Sequence, residues 1–296
     1  MSLTGRVWSK AVRYRRRRFG QRPPKSAWIS GQLDWIREQA PGRSFVDVGG
    51  VWMRQGEVAF TAEEAGASAV TLFDVGDPEL TEVPTKRKAR DSSLRYVQGD
   101  LEDPLSLAKI GVHDIVWCTG VLYHTPNPVK QLMHLRQITG ELLYLGTLTL
   151  PDIPGFPQAC IYYPYLEPEE RRPYAAGADW DPSVPEGLLA IGSDFDERPM
   201  MGYGNCWWGM TRSALVAMLR TAQFEVIEER KIFPSPYLSE FVCRPIPGDP
   251  FMPPHDYFRR YSETLEATGE RLPFDDFYER ERAGELPGQP DPSARE

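Results

Sequence analysis

Residues 44–66 read SFVDVGGVWMRQGEVAFTAEEAG. The apolar run at the start predicts a short buried strand, because buried parallel strands read as near-continuous hydrophobic segments. The two glycines that follow predict a tight turn. The next segment, EVAFTAEEAGA, predicts a helix that closes at Gly66. A strand, a glycine turn and a helix in this order form the unit from which parallel sheets are built.

The same alternation of strands and helices continues along the chain. Further strands are predicted at 68–74, 94–100, 113–120, 141–150, 224–232 and 237–245, and helices at 26–40, 128–139 and 211–223. Ser26 and Thr211 are the predicted N-caps of the first and the last of these helices. The last two strands are expected to form a hairpin. The pattern predicts an α/β fold with a Rossmann-like, doubly wound and mostly parallel sheet of seven strands.

A long insertion is predicted after the fifth strand. Residues 151–204 are rich in proline, glycine and aromatic residues and show no sustained period. A stretch of this length inside a compact domain is expected to be a lid or a substrate-binding insertion. The chain is thus divided into a basic arm and helix (1–40), a cofactor-binding Rossmann-like domain (41–150 and 205–245), the lid (151–204) and an acidic, proline-rich tail (246–296).

The composition argues against several classes of protein. The 296 residues are 41% hydrophobic and 26% charged, which is typical of a globular protein. No apolar run reaches the roughly 18 residues that a membrane span needs, and none follows the basic start as in a signal peptide. The four cysteines lack the spacing of zinc ligands. We therefore expect a cytoplasmic protein with no metal and no membrane partner.

The first 25 residues carry nine Lys or Arg and no acid, whereas the whole chain has a net charge of −8. Such an arm can contact the phosphates of RNA. It can also be a solvated arm that pairs with the acidic body. The second interpretation is favoured, because an acidic protein is not built for non-specific binding to nucleic acid.

The end of the first strand carries an acid ahead of two glycines, Asp47, Gly49 and Gly50. This turn lacks the G-x-G-x-x-G spacing of dinucleotide sites, and an acid here would repel a pyrophosphate. A carboxylate in this place suits a ligand with an ammonium or sulfonium group. The glycines permit a close approach between the backbone and that ligand.

The next three strands end in groups that match the same ligand. Asp74 ends the second strand, where an acid accepts hydrogen bonds from ribose hydroxyls. Asp100 and the amide of Leu101, after the third strand, can meet an adenine edge. Thr119 and Gly120 end the fourth strand, beside the reacting centre. An acid at a strand end also often caps the next helix, but together these positions predict an S-adenosylmethionine site.

Several segments resemble class I S-adenosylmethionine-dependent methyltransferases: DVGG, LFD, QGDLEDP, HDIVWCTGVLYHTPNPVKQLMHLRQI, ELLYLGTLTL and NCWWGMTRSALVAMLRTAQFEVIE. The likeness covers 25–150 and 204–245. GVLYH, and Asn205 ahead of two aromatic residues, resemble most closely the tRNA wobble-uridine carboxymethyltransferases and their uncharacterised relatives. The resemblance implies a methyltransferase with S-adenosylmethionine as its cofactor.

Two departures from this resemblance matter. The turn holds Val-Trp-Met-Arg-Gln before Gly56, which makes it longer than the D-x-G-x-x-x-G of such relatives. Relatives that use carboxylated S-adenosylmethionine hold its extra carboxylate partly with an arginine near the final strand. The matching stretch here, SPYLSEFV, has no arginine. The resemblance therefore favours ordinary methyl transfer.

The predicted catalytic residues, Tyr123 and His124, follow the fourth strand. His124 is a candidate general base, because an imidazole is mostly neutral at pH 7. It can equally bond the backbone and shape the pocket. Tyr123 is expected either to face the cofactor or to pack under it. Aromatic residues stack on sugars and bases, although they also pack lids that bind nothing. The predicted substrate residues are Tyr203, Asn205, Trp207 and Trp208.

These patterns predict methyl transfer from S-adenosylmethionine to an oxygen of a small molecule or a sugar-containing metabolite. Two alternatives stay open. One is a tRNA wobble-uridine modifying methyltransferase whose arginine-rich arm binds phosphates. The other is a non-catalytic binding subunit with a methyltransferase fold, which is suggested by the lengthened glycine turn.

Overall fold

A computed structural model describes residues 25–51, 54–164, 207–230 and 238–247, together with Arg280. The chain divides into two compact units, 1–250 and 251–296, and every strand and α-helix named below belongs to the first. The basic arm, most of the predicted lid and most of the predicted tail lie outside the described residues, so the predicted domain bounds stay predictions. No helix in the described ranges is long and apolar enough to cross a membrane.

The described residues contain nine strands. They are β1 Ser44–Val48, β2 Ala69–Asp74, β3 Arg95–Gln98, β4 His113–Thr119, β5 Thr139–Leu148, β6 Cys160–Tyr162, β7 Trp208–Met210, β8 Phe224–Arg230 and β9 Leu238–Pro245. Seven of them form one sheet in the order β3-β2-β1-β4-β5-β9-β8. Neighbours among β1 to β5 pair in parallel, and β9 runs antiparallel to both β5 and β8. The predicted mostly parallel sheet of seven strands and the predicted final hairpin are confirmed.

Helices cover both faces of this sheet. They are α1 Lys25–Gln39, α2 Glu57–Glu64, α3 Val83–Ala89, α4 Pro104–Ile110, α5 Pro128–Ile138 and α6 Arg212–Thr221. The first three contribute buried side chains such as Ile36 and Phe60 to one core. The last three contribute side chains such as Leu107 and Leu135 to the other core. Helices on both faces make the sheet doubly wound, as the sequence predicts.

An aromatic cluster of Trp35, Trp117 and Tyr144 lies on the face that α1 covers. The rings of Trp117 and Tyr144 stack with centroids 3.9 Å apart, and Trp35 meets Tyr144 edge-on at 4.9 Å. Such pairs contribute about 0.5–1.5 kcal/mol beyond the burial of their area. Trp117 lies opposite Asp47 in the β1–β4 register. The cluster therefore holds β4, β5 and α1 together next to the first predicted cofactor residue.

Helix ends and short elements account for most differences between pattern and structure. The prediction of Ser26 as an N-cap is wrong, because α1 begins at Lys25 and Ser26 lies within the helix. Thr211 caps α6 as predicted, since its Oγ1 accepts a hydrogen bond of 3.2 Å from the amide of Ala214. The sequence patterns do not predict α3 and α4, because seven residues make only about two turns and give no readable period. Asp103 caps α4 by accepting from the amides of Leu105 and Ser106.

A second, two-stranded sheet stands at the base of the insertion. Strand β6 pairs antiparallel with β7, and Ile161 lies opposite Gly209. We refer to this pair, together with Trp207 directly before β7, as the β6–β7 ribbon. Strands of three residues are too short to show a period of two, which is why the pattern alone does not reveal them. The ribbon joins the start of the insertion to the segment that follows it.

Candidate active site

Three predicted cofactor residues meet at the carboxyl edge of the sheet. In the registers of β1 with β2 and with β4, Val48 lies opposite both Phe73 and Cys118. Asp74 and Thr119 follow directly after those two partners, and Asp47 directly precedes Val48. Ligands of open α/β sheets bind at this edge, outside the carboxyl ends of the strands. The structure therefore brings these three side chains to the place where a cofactor is expected.

The two glycines after β1 are required by close packing. Gly49 has a φ of +80°, which side chains rarely adopt, and its amide donates a 2.8 Å hydrogen bond to the carbonyl of Phe73. A Cβ at Gly49 would collide with the side chain of Val121, and one at Gly50 would collide with the carboxylate of Asp47. The glycines thus allow Asp47 and the segment after β4 to pack against the turn. This packing role adds to their predicted role, which is to permit a close approach to a ligand.

The lengthened turn closes into a defined loop, which we call the glycine loop (49–56). The amide of Gly56 donates to the carbonyl of Gly50 at 2.9 Å, and Gln55 and Gly56 both have positive φ. Helix α2 then begins at Glu57. Residues 52 and 53 lie outside the described residues. The described part of the turn therefore closes between Gly50 and Gly56, and residue 54 makes the polar contacts described below.

Asp47 is buried and electrostatically unusual. Burial raises the pKa of its carboxyl to about 7, the charge of Arg54 opposes this rise, and the charge of Asp74 adds to it. Its Oδ2 is buried and has no hydrogen-bond partner. A buried acceptor without a partner costs free energy that a cationic or donor ligand would recover. Asp47 therefore fits the predicted role beside an ammonium or sulfonium group.

Asp74 accepts hydrogen bonds from the backbone on both of its oxygens. The amide of Val51 in the glycine loop donates to Oδ2 at 3.0 Å, and the amide of Gly76 donates to Oδ1 at 2.8 Å. The side chain is buried. Each carboxylate oxygen can accept a further hydrogen bond. Binding of ribose hydroxyls therefore stays a prediction, and the structure adds that Asp74 holds the glycine loop.

The loop after β3 presents Asp100 and buries Leu101. Asp100 is exposed, and its Oδ1 accepts from the amide of Glu102 at 2.8 Å. The carbonyl of Leu101 accepts a 2.7 Å hydrogen bond from Nδ1 of His134 on α5. That histidine is buried, although its place in a helix pattern predicts a solvated or core-edge residue. The predicted adenine-binding pair, Asp100 and Leu101, is thus fixed through the carbonyl of Leu101, and the carboxylate of Asp100 is exposed to solvent.

Glu102 links the loop after β3 to the segment after β4. Its carboxylate accepts a hydrogen bond from the hydroxyl of Thr125 and one of 3.1 Å from Nδ2 of Asn127. The Thr125 hydroxyl in turn accepts from the amide of Asn127 at 2.9 Å. Sequence reasoning does not single out these residues. Their only signal in the sequence is that one loop carries an acid and another carries two hydrogen-bond donors. That these groups pair can be recognised only when the fold is known.

The predicted catalytic residues lie on a short 3-10 turn, Leu122–His124, after β4. Gly120 precedes the turn with a φ of +77° and donates to the carbonyl of Gly146 at 2.9 Å. Tyr123 is buried, and its hydroxyl would lie 3.6 Å from a Cβ at Gly120. His124 is exposed. The two rings contact each other, with centroids 4.2 Å apart, but Tyr123 is packed at the strand end and His124 is open to solvent.

The β6–β7 ribbon contacts this turn with its aromatic residues. The amide of Trp207 donates to the carbonyl of Tyr123 at 3.0 Å, and Nε1 of Trp208 donates to the carbonyl of Pro126 at 3.0 Å. The ring of Tyr162, which is exposed, lies 4.9 Å from that of Trp208. Trp207 and Trp208 therefore lie next to the turn of His124. The other two predicted substrate residues, Tyr203 and Asn205, fall outside the described residues.

A buried polar chain beside Asp47 escapes sequence reasoning altogether. Arg54 donates to the side chain of Gln32 on α1, and Gln32 donates to Glu240 on β9. The hydroxyl of Tyr144 donates to the same oxygen of Glu240 at 3.0 Å. Burial and the charge of Glu240 raise the pKa of Tyr144, so it stays a donor. No periodic signal in the sequence marks Glu240, because all of 239–243 in β9 are buried.

The described residues hold no group of three or more His, Cys, Asp or Glu side chains that could bind a metal ion. The chemistry present at the carboxyl edge is instead that of carboxylates, backbone amides and one exposed imidazole. These groups can bind a cationic, hydroxyl-bearing ligand and hold an acceptor beside it.

Comparison with known proteins identifies the domain. Residues 49–140 match the model of the family described as methyltransferase domain. They run from the glycine loop through β4, its turn and α5, and so include Asp74, Asp100 and His124. A search of curated proteins found no significant match.

Several solved structures are similar to the chain at low identity. The N-terminal domain of EvdMO1 with SAH bound is 18% identical, with 73% of this chain and 80% of that chain covered and a TM-score of 0.44. Magnesium protoporphyrin IX methyltransferase from Synechocystis PCC 6803 with bound SAH is 15% identical, with 73% and 81% covered and a TM-score of 0.45. An S-adenosylmethionine dependent methyltransferase from Mesorhizobium loti is 14% identical, with 72% and 96% covered and a TM-score of 0.44.

Alignments at this identity and TM-score carry no information about the acceptor. The match to the domain family, the seven-stranded sheet and the unpartnered carboxylate oxygen of Asp47 agree on the cofactor. The likeness to tRNA wobble-uridine enzymes is not supported at the level of the subgroup. The chain carries an S-adenosylmethionine-dependent methyltransferase domain.

Proposed function

We propose that the protein transfers a methyl group to an oxygen atom of a small molecule or a sugar-containing metabolite. The observation that carries the proposal is the contact between the β6–β7 ribbon and the turn of Tyr123 and His124. The ribbon offers Tyr162, Trp207 and Trp208 beside an exposed imidazole. Aromatic faces suit sugar rings and other compact ligands with an apolar face.

The residues of this chain are proposed to contribute to the reaction more by positioning the cofactor and the acceptor than by acid–base chemistry. S-adenosylmethionine, when bound, would supply an electrophilic methyl group, whose bond to sulfur breaks as its bond to the acceptor oxygen forms, so that S-adenosylhomocysteine is the leaving group. Holding the acceptor in line with that methyl can contribute about 7–11 kcal/mol. A general base contributes about 3–5 kcal/mol more. Asp47, Asp74 and Asp100 are proposed to hold the cofactor, and the ribbon is proposed to hold the acceptor.

His124 is proposed to receive the proton of the acceptor hydroxyl on a ring nitrogen. The exposure of its side chain supports this role, because a base must reach its substrate. An orienting role, in which the imidazole only binds the acceptor, remains the alternative. Tyr123 is proposed to shape the floor of the site, since its hydroxyl packs beneath Gly120.

The test uses the full chain with ¹³C-methyl S-adenosylmethionine and a cell extract divided into a low-molecular-weight fraction and an RNA fraction. We expect the label in low-molecular-weight products that survive ribonuclease. The carbon shift of the new methyl group distinguishes attachment to oxygen from attachment to nitrogen. The matched control is the same reaction with Asp47→Asn. Label confined to ribonuclease-sensitive RNA would overturn the proposal.

The tRNA-modifying alternative rests on the nine cationic residues of the first 25. All of that arm except Lys25 lies outside the described residues. This alternative expects binding to RNA that weakens steeply with salt. It also expects loss of activity when residues 1–25 are removed, whereas a metabolite enzyme should keep its activity.

We also propose that the protein works in a reducing compartment such as the cytoplasm. Cys118 and Cys243 are buried free thiols, and Cys160 is an exposed free thiol. Free thiols persist where glutathione and thioredoxin keep them reduced. Quantification of thiols in the protein taken directly from cells, under acid quench, tests this proposal.

A further inference from the structure

The lengthened glycine loop places a cation within the buried part of the site. Arg54 is half-buried and donates a hydrogen bond to Gln32, which in turn donates to Glu240. The loop is thereby tied to α1 and, through α1, to β9. The same loop also donates from the amide of Val51 to Asp74 on β2. Its position thus depends on polar contacts with three elements of the fold.

Arg54 lies among acidic groups from separate elements. Burial lowers the pKa of Arg54, and the charges of Glu57, Asp47 and Glu240 act in the opposite direction. A guanidinium is not deprotonated in proteins, so Arg54 remains a fixed positive charge. It is also the cation that lowers the pKa of Asp47 among the described residues. Arg54 therefore acts as the counter-charge of two buried carboxyl groups.

We propose that Arg54 is a positioning residue of the cofactor site, which holds the glycine loop against α1 and β9 through Gln32 and through its attraction to Asp47 and Glu240. The proposal rests on the assignment of the cofactor and does not depend on the identity of the acceptor. It gives a role to the extra residues of the glycine loop, which a shorter turn would lack. Removing one member of a buried charged group leaves the remaining charges uncompensated.

Two ionisable groups near this cluster, Cys118 and Tyr144, do not change protonation state in the range of a test by pH. Burial raises the pKa values of Cys118, which faces Asp47, and of Tyr144, which faces Arg54. Both therefore stay protonated between about pH 6 and about pH 8. The remaining charged neighbours are Asp74 beside Asp47, Glu57 and Glu240 beside Arg54, and Arg230 beside Tyr144.

The first measurement is the affinity of the full chain for S-adenosylhomocysteine by titration calorimetry. We expect Arg54→Met to raise Kd by about tenfold or more, which corresponds to about 1.4 kcal/mol. Arg54→Lys should restore part of the affinity, since it keeps the charge without the planar fork. The matched control is Arg43→Met. Arg43 precedes β1 at the opposite end of the same strand and pairs with Glu141 at 3.0 Å.

The second measurement is Tm without ligand at about pH 6 and about pH 8. Loss of Arg54 raises the pKa of Asp47 further above its unfolded value. A group with a raised folded pKa stabilises at low pH and loses that contribution as pH rises through the folded pKa. The loss of Tm in Arg54→Met, relative to the wild type, should therefore be larger at the higher pH. A purely steric role predicts equal losses.

Two results would overturn the proposal alone: a Kd of Arg54→Met equal to that of Arg43→Met, or a loss of Tm that does not change with pH. A wild-type chain that fails to bind S-adenosylhomocysteine would overturn it together with the cofactor assignment. The acceptor does not enter either measurement, so a different acceptor class leaves both readouts valid.

Discussion

The backbone amide of Trp207 donates a hydrogen bond of 3.0 Å to the carbonyl of Tyr123. This contact joins the β6–β7 ribbon to the turn that carries the exposed imidazole of His124. It comes from two backbone groups, so it constrains the main chain on both sides. An acceptor that reaches His124 is therefore expected to meet the aromatic residues of the ribbon.

Replacement of His124 by alanine tests the proposed base. We expect turnover to fall about 10²-fold or more, because a general base contributes typically ~10²–10⁴-fold. Affinity for S-adenosylhomocysteine should stay nearly intact, since the imidazole is exposed at the end of its turn. Steady-state kinetics and calorimetry measure the two effects. Unchanged turnover would assign His124 to the scaffold, and retained turnover in His124→Gln would favour an orienting role.

Replacement of Glu102 by alanine tests the link between the two loops. The change removes the acceptor of hydrogen bonds from Thr125 and Asn127, and the bond from Asn127 is exposed to solvent. A single hydrogen bond to a charged group contributes about 1.5–3 kcal/mol, and an exposed one contributes little. We expect a loss of unfolding free energy of about 1–3 kcal/mol and a rise in KM for the acceptor, measured by urea denaturation and kinetics. The control is Glu79→Ala, an exposed acid in a surface turn. Equal losses in the two variants would argue against the link.

A methyl group at Gly50 should disturb the acid beneath it. The Cβ of Gly50→Ala would collide with the carboxylate of Asp47 and lie 2.7 Å from Cδ1 of Leu72. We expect a loss of about 1–3 kcal/mol from overpacking and a clear loss of cofactor affinity. Denaturation and calorimetry measure them. In Gly66→Ala the new Cβ meets no atom within 4 Å, and the cost there is only that of a φ of +91°. Normal cofactor binding by Gly50→Ala would contradict the packing.

The stability of the protein should depend on the ionisation of Asp47. Its folded pKa is about 7 against the usual 3.8, so the folded state binds the proton more tightly than the unfolded state. This contribution is complete below pH 4 and is lost as pH rises to about 7, by up to about 4 kcal/mol. Urea denaturation across this range should show the fall in the wild type. Asp47→Asn should flatten it.

Asp114 provides a control of opposite sign. Hydrogen bonds from the backbone and side chain of Ser44 lower the pKa of this carboxyl. Its contribution to stability is therefore present above the unfolded pKa and is lost as pH falls through the folded pKa. Asp114→Asn should change stability at neutral pH and leave the fall attributed to Asp47 in place. A profile that Asp47→Asn does not alter would show that Asp47 is ionised normally.

The sheet could be predicted from sequence because each strand carries its own signal. The apolar run of β1, the glycines after it and the cap at Thr211 are local features, and local features determine local structure. For the same reason the acids at the ends of β1 and β2 could be placed at one edge. The short helices α3 and α4 and the ribbon strands fall below the length at which periodicity becomes readable.

Contacts between distant segments were beyond the reach of these patterns. Gln32 and Glu240 are 208 positions apart and meet only because α1 packs over the sheet beside β9. Glu102 and Thr125 meet because the loops after β3 and β4 lie at the same edge. Neither pair leaves a periodic trace in the sequence. The sequence shows that the loop has extra residues but not what they do. The contacts of Arg54 can be recognised only when the positions of α1 and β9 are known.

Strand β8 is the last strand of the described sheet, and its composition bears on how the protein behaves at high concentration. An edge strand offers unpaired amides and carbonyls on which another chain can add a strand, and charged side chains discourage this. Phe224–Arg230 carries Glu225, Glu228 and Glu229, paired with Arg244, Arg230 and Arg212 respectively. A second chain that docked here would have to accommodate or displace these ion pairs. The charges on β8 thus act against edge-to-edge aggregation at this end of the sheet.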